Sequence, residues 1–185
     1  MSERSAPSAP DGPGRTGAPD GPGGHDEPAG GEARAAAALA AAGIRYTITH
    51  HGPVSSVAEA ATARGLTPAD VLKTIVVRRG DDDFLFVLVP GDRTISWPKL
   101  RALLGISRMS MPDAATAQDV TGYERGTITP FGSLRAWPVV ADDRVTGGRI
   151  VSIGAGAHGV AAILVGDDLV RVLGATVADV TEPEG

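Results

Sequence analysis

Leu72 to Arg79 and Phe84 to Pro90 are two apolar runs held apart by Gly80-Asp81-Asp82-Asp83, a pattern that commits the middle of the chain to a β-hairpin. Upstream, Glu32 to Ala42 is alanine-rich and reads as a helix stopped by Gly43. Ile44 to Thr49 alternates and reads as a strand. Ser56-Val57-Ala58-Glu59 is a capping box opening a helix that ends at Gly65, and Thr67-Pro68-Ala69-Asp70 starts a short helical turn. Downstream, the pattern predicts helices from Ser96 or Trp97 to Leu104, from Pro112 to Val120 and from Asp167 to Leu173. It predicts strands over Ser107 to Met111, Leu134 to Ala141, Arg149 to Ile153, Val160 to Val165 and Thr176 to Val180. Helices and strands mix without strict alternation. The expected class is therefore α+β, with a mixed, curved, barrel-like sheet flanked by helices.

The chain before this pattern is of another kind. No Val, Ile, Leu, Phe, Tyr or Trp precedes Leu39, and Pro7, Pro10, Pro13, Pro19, Pro22 and Pro28 alternate with small and acidic residues. Such a segment buries too little apolar surface to offset chain entropy, so residues 1–32 read as a disordered leader and 33–182 as one folded domain. Glu3, Asp11, Asp20, Asp26, Glu27 and Glu32 outnumber Arg4 and Arg15 in the leader, which thus holds most of the net charge of -5. The remainder is nearly neutral and lacks the basic footprint of a protein that wraps a long nucleic acid, though a local patch could dock one end. There is no Cys, so disulfides, thiolate nucleophiles and Cys-type zinc sites are excluded. No apolar run reaches the roughly 18 residues of a membrane span, and the expected setting is the cytoplasm, with no membrane partner.

The chain holds only two lysines, Lys73 and Lys99, among 17 basic residues. Lys73 stands at the mouth of the apolar strand, where a compact ammonium can act as a point charge beside an anionic or carbonyl group. Two glycine-rich loops come later. Gly122 to Gly132 contains Gly126, Thr127, Thr129, Pro130 and Phe131, and its glycines free the backbone to aim N–H groups at one spot, as an oxyanion cradle requires. Gly154-Ala155-Gly156-Ala157-His158-Gly159 matches Gly-x-Gly-x-x-Gly, yet too little chain follows for a dinucleotide fold. It reads instead as a tight loop where backbone approaches a ligand or another chain. Lys73-Thr74 follows Leu72 rather than Gly and opens a strand, so it is not a P-loop. His50 and His51 end the first strand. Loop sites and a strand-end Lys are the parts of an open pocket at one end of a sheet.

These motifs together resemble the YbaK/ProX family of aminoacyl-tRNA deacylases, relatives of the editing domain inserted in bacterial prolyl-tRNA synthetases. Val71 to Val77 looks like the family's Lys-Thr strand, Gly126 to Gly132 like its Gly-x-x-x-Pro loop, and Gly154 to Gly159 leading into Asp168-Leu169 like its last glycine turn and helix. The resemblance covers about residues 34–182. It implies hydrolysis of the ester holding a wrong amino acid on the terminal ribose of a tRNA, the substrate being prolyl-tRNA with a small residue such as Ala or Cys. It implies Lys73 and Gly126 as the catalytic pair, and His51, Thr127, Thr129, Pro130, Phe131, Gly156 and His158 as substrate-binding residues. Water activation would come partly from the substrate's own ribose hydroxyl, with no metal and no cofactor. Expected partners are the tRNA acceptor end and an aminoacyl-tRNA synthetase.

Two positions depart from the cysteinyl-specific pattern. Thr49-His50-His51-Gly52-Pro53 stands where those members have Tyr-x-His-Asp-Pro, and Ala161 where they have Asp. The Thr-Pro-Phe-Gly ending is closer to members that remove alanine. The departures also leave room for another reading, a non-catalytic nucleotide or aminoacyl-adenylate binding module using the same pocket. An interaction domain presenting the acidic leader is a third. Arg64, Arg78, Arg79, Arg93, Arg101 and Arg108 are either a patch for the acceptor stem or scattered surface charges.

Overall fold

The structure, a computed structural model, describes residues 30–185, so the reading of the leader lies almost wholly outside the described residues. Helix α1, Gly31–Ala41, starts one residue ahead of the helix expected from Glu32, and it buries Ala35 and Leu39 one turn apart. Strand β1 is Tyr46–His50. Helix α2, Val57–Arg64, is capped by Ser56, whose Oγ accepts the Glu59 N–H at 3.1 Å. The Glu59 carboxylate reaches back to Ser55 rather than to Ser56, accepting from its N–H at 2.7 Å and its hydroxyl at 2.9 Å. The Glu59 carboxyl is accordingly held below its ordinary value by those Ser55 bonds. Gly65 closes the helix in the left-handed region, which glycine enters without a Cβ penalty.

A 3₁₀ turn at Pro68–Asp70 leads into β2, Leu72–Gly80, and its partner β3, Asp83–Pro90. The register runs from Leu72–Pro90 to Gly80–Asp83, leaving Asp81-Asp82 as the turn, with Asp82 at a φ of 50°. Short strand β4, Arg93–Ile95, precedes helix α3, Trp97–Leu104, and helix α4, Ala114–Thr121. Then come β5, Val139–Asp142, β6, Ile150–Gly154, β7, Val160–Val165, helix α5, Gly166–Val172, β8, Thr176–Ala178, and β9, Thr181–Pro183.

Three sheets result: β1-β7-β6, β2-β3-β5-β8 and β4-β9. The first and last are antiparallel, and β5 pairs parallel to both β3 and β8. The class is mixed α+β as expected. The sheets do not close into a barrel, because the first two meet through one isolated bridge, Val71 to Ser152, and otherwise through side-chain packing. The core explains why β3 is apolar without alternation. Phe84, Phe86 and Leu88 face a core shared with Leu39, Val151, Ile153, Leu164 and Leu169. Leu85, Val87 and Val89 face a second core with Leu100, Val140 and Val180. A strand buried on both faces has no polar side to show.

Several expected strands are shorter than the pattern implied, two of them markedly. Ser107 to Met111 contributes a single bridge, Ser110 to Arg78. Leu134 to Ala141 pairs only from Val139, because Trp137 turns inward. Its indole N–H donates to the Val120 carbonyl at 2.9 Å, and its ring meets Phe84 edge-on at 5.3 Å. Strands β4 and β9 were not foreseen, being three residues each.

Candidate active site

The bridge between the two larger sheets is parallel, so both strands leave it in the same direction. Lys73 lies two residues beyond Val71, and Gly154 two residues beyond Ser152. Both line one cleft of about 480 Å³, whose walls also include Ser56, Arg64, Thr74, Arg125, Gly126 and Ile128. The predicted catalytic pair, Lys73 and Gly126, is therefore brought to one cleft. A second cleft shares Val54, Arg64, Gly126 and Gly154 with it and adds His51, Ala157, His158 and Gly159.

Gly126 sits at a φ of 92°, exposed, and among the described residues no backbone carbonyl takes its N–H. The neighbouring Thr127 N–H is spent internally on the Glu124 carbonyl at 2.9 Å. A Cβ on Gly126 would meet His158 Cε1 at 3.3 Å, which puts the tips of the two glycine loops side by side. The Lys73 ammonium donates to the Arg93 carbonyl and pairs with Glu184 Oε2 at 3.0 Å. The Thr74 hydroxyl oxygen, next along the strand, is shielded from solvent and has no hydrogen-bond partner among the described residues.

The other predicted residues divide. His51 and His158 line the second cleft, and His158 approaches Glu124 Oε2 at 3.6 Å. Thr127, Thr129 and Phe131 are buried instead; Thr129 is fully enclosed and Phe131 belongs to the main core. Gly156 packs against the Gly31 carbonyl and the Tyr123 ring, and Pro130 is half-buried outside both clefts. These four and Pro130 brace the loop rather than line its opening. The bracing is dense. Tyr123, buried, donates its hydroxyl to the Phe131 carbonyl at 2.6 Å, and burial pushes its phenol above the ordinary value. Arg34 lies over the Tyr123 ring at 4.9 Å and donates to the Gly122 carbonyl at 2.6 Å.

Thr49 and Ala161, the two departures noted in the sequence, are cross-strand partners, and the Thr49 hydroxyl approaches the Ala161 carbonyl at 3.4 Å. Ala161 also pairs with Gly154, which lines both clefts. His50 is turned away, bonding Glu32 Oε1 at 2.7 Å.

Of the arginines weighed as a patch, only Arg64 enters these clefts. Arg78, Arg79 and Arg108 gather at the far end of β2. Arg78 and Arg79 pair with Asp81 and Asp83, and Arg93 donates to the Thr181 hydroxyl at 2.6 Å. Sequence reasoning also missed Arg125 and Ser152. Asp142, Asp143 and Asp179 converge outside the clefts, with Arg144 Nη1 3.0, 3.1 and 3.3 Å from their oxygens, so a guanidinium supplies the positive charge there.

A backbone amide, an ammonium and a guanidinium thus line one cleft, groups whose chemistry suits an ester or a phosphate. Residues 51–172 match the family model of the aminoacyl-tRNA editing domain, and the chain belongs to that family. The proline–tRNA ligase of Heliobacterium modesticaldum is 35% identical over 94 residues, 51% of this chain and 16% of the ligase. That of Desulforamulus reducens is 36% identical over 87 residues, 47% of this chain and 15% of the ligase. The chain thus spans only about a sixth of the length of these curated relatives. Among solved structures, hypothetical protein APE2540 superposes with a TM-score of 0.74 at 25% identity, covering 80% of this chain and 99% of that one. A protein described as a candidate trans-editing enzyme for prolyl tRNA synthetase shares the fold, with a TM-score of 0.74 at 23% identity over 84% of this chain and 98% of its own.

Proposed function

We propose that this editing domain is a trans-acting deacylase that hydrolyses the ester of a mischarged tRNA, prolyl-tRNA carrying a small wrong amino acid such as alanine or cysteine. The observation that carries the reading is the unengaged N–H of Gly126 in the cleft that Lys73 lines. Attack of water on the ester carbonyl forms a C–O bond and places negative charge on the carbonyl oxygen. A backbone donor aimed at that oxygen contributes about 3 kcal/mol. Collapse breaks the bond to the ribose oxygen, which takes a proton and leaves as the tRNA hydroxyl. In this reading, as the family resemblance implies, the vicinal ribose hydroxyl orients the water. Lys73 adds a positive charge beside the developing anion once a ligand draws it from Glu184.

The reaction places the protein with the tRNA acceptor end and a synthetase in the cytoplasm, and it calls for no cofactor. The test is a panel of mischarged tRNAs incubated with purified, folded chain. Turnover is expected on alanyl-tRNA(Pro) first. No turnover on any member of the panel overturns the reading. The cross-strand change at Thr49 and Ala161 favours a second reading, a binding module for a nucleotide or aminoacyl-adenylate, which tight binding without hydrolysis would select.

A further inference from the structure

Arg64 ends helix α2 half-buried between the two clefts and lines both of them. Its Nε and Nη2 donate to His51 Nε2 at 3.3 and 3.2 Å, and its Nη1 donates to the Ser152 hydroxyl at 3.1 Å. His51 has its tautomer set by these neighbours. Its Nδ1 faces the Gly52 carbonyl at 2.8 Å, which only accepts, so Nδ1 carries the proton and Nε2 offers a lone pair to the guanidinium. None of the Arg64 partners is an anion. No described carboxylate comes within ion-pair reach of Arg64 or of Arg125, the other arginine of the first cleft, and of the two Arg64 is the half-buried one while Arg125 is exposed. Burial pushes the Arg64 guanidinium down from the ordinary value, the mark of a cation short of compensation. A guanidinium has five N–H groups, and the bonds above engage three, which leaves one on Nη1 and one on Nη2.

We propose that Arg64 binds the phosphodiester immediately 5′ of the terminal adenosine of the acceptor end, a contact that rests on the deacylase reading. The chemistry of the substrate selects this group. The amino acid's carboxylate is consumed in the ester and carries no charge, and its amino group is cationic. The terminal linkage is then the anion nearest the scissile bond. The two N–H groups left, one on each terminal nitrogen, can serve phosphate oxygens from a planar fork that Lys lacks. Gly126 and Arg64 line the same clefts, so ester and phosphate of one nucleotide are served from adjoining positions.

The experiment uses uncharged ligands and the full chain. Calorimetric titration compares the dinucleotide CpA, which contains the diester, with adenosine, which lacks it. Wild type is expected to bind CpA at least about tenfold more tightly than adenosine, and Arg64→Gln to lose that preference while binding adenosine as before. Wild type alone gives a second readout, because the Arg64 Nε–H resonance is expected to shift with CpA and not with adenosine. Equal CpA preference in wild type and variant, an unmoved resonance, or binding of 5′-AMP with none of CpA overturns the proposal. Hydrolysis takes no part in these measurements. A chain that contacts CpA through Arg64 but deacylates nothing refutes the deacylase reading alone, and active deacylation with an Arg64-independent CpA site refutes this one alone.

Discussion

Lys73 and Glu184, 111 residues apart, form an ion pair at 3.0 Å that ties the ammonium of the cleft to the residue after strand β9. The carboxylate is more than half exposed, and the pair is screened by solvent. Glu184→Gln is expected to change stability by less than about 1 kcal/mol and to lower KM for a mischarged tRNA by up to about fivefold, the worth of an exposed pair. Denaturant melts and steady-state deacylation check both. A raised KM would mean that Glu184 assists the substrate.

Lys73→Ala is expected to keep the fold and to lose about 100-fold in kcat/KM, the size typical of one electrostatic contact to a developing oxyanion. Circular dichroism and deacylation on one sample measure this. A variant as active as wild type removes Lys73 from the chemistry.

Gly126→Ala and Gly43→Ala separate backbone strain from cleft geometry. Both glycines have positive φ, 92° and 66°, so either side chain costs about 1–2 kcal/mol. Nothing stands within 4 Å of a Cβ on Gly43, whereas one on Gly126 points at His158. Activity is expected to fall more than about tenfold in the first variant and to hold in the second. Equal losses in both would assign the effect to stability.

Tyr123→Phe strips the Phe131 carbonyl of a buried donor and is expected to cost about 1–3 kcal/mol in urea denaturation. Loop mobility should rise with it, visible as faster amide exchange across Gly122 to Gly132. An unchanged melt would show that Arg34 alone braces the loop.

Asp142 makes stability depend on acid. Burial by itself raises this carboxyl, but the Thr181 hydroxyl at 2.7 Å, Arg144 and the Val180 N–H outweigh burial and hold it below its ordinary value. The depressed group contributes stability above the unfolded value of about 4, and that contribution is lost as pH falls through the lower folded value. Asp142→Asn is expected to cost about 2–3 kcal/mol at pH 7 and to flatten the decline below pH ~4. A variant with the wild-type acid profile would place the sensitivity elsewhere, Asp70 beside Arg149 being next.

Much of this architecture could be read in advance because it is local. The Ser56 cap, the glycine stops at Gly65, Gly105 and Gly122, and the Asp81-Asp82 turn are decided by a few adjacent residues. Lys73 was legible as a charge at the mouth of an apolar strand. What escaped depends on partners far along the chain. Strands β4 and β9 are too short for any period to show, and they exist because they pair with each other. Thr129 and Phe131 sit among glycines, as an exposed loop would, yet Tyr123 and Arg34 draw that loop onto the core. Arg64 reads as an ordinary basic residue closing a helix, and only its neighbours His51 and Ser152 set it apart.

The lone bridge from Val71 to Ser152 gives the molecule a seam. Lys73 rides on one plate and Gly154 on the other, so their spacing is governed by how the plates abut, more than by any loop. Leu72 and Val151, packed along that joint, act as shims. Trimming either should shift Lys73 against Gly154 well before the protein melts, and well-folded variants with an altered cleft are to be sought there.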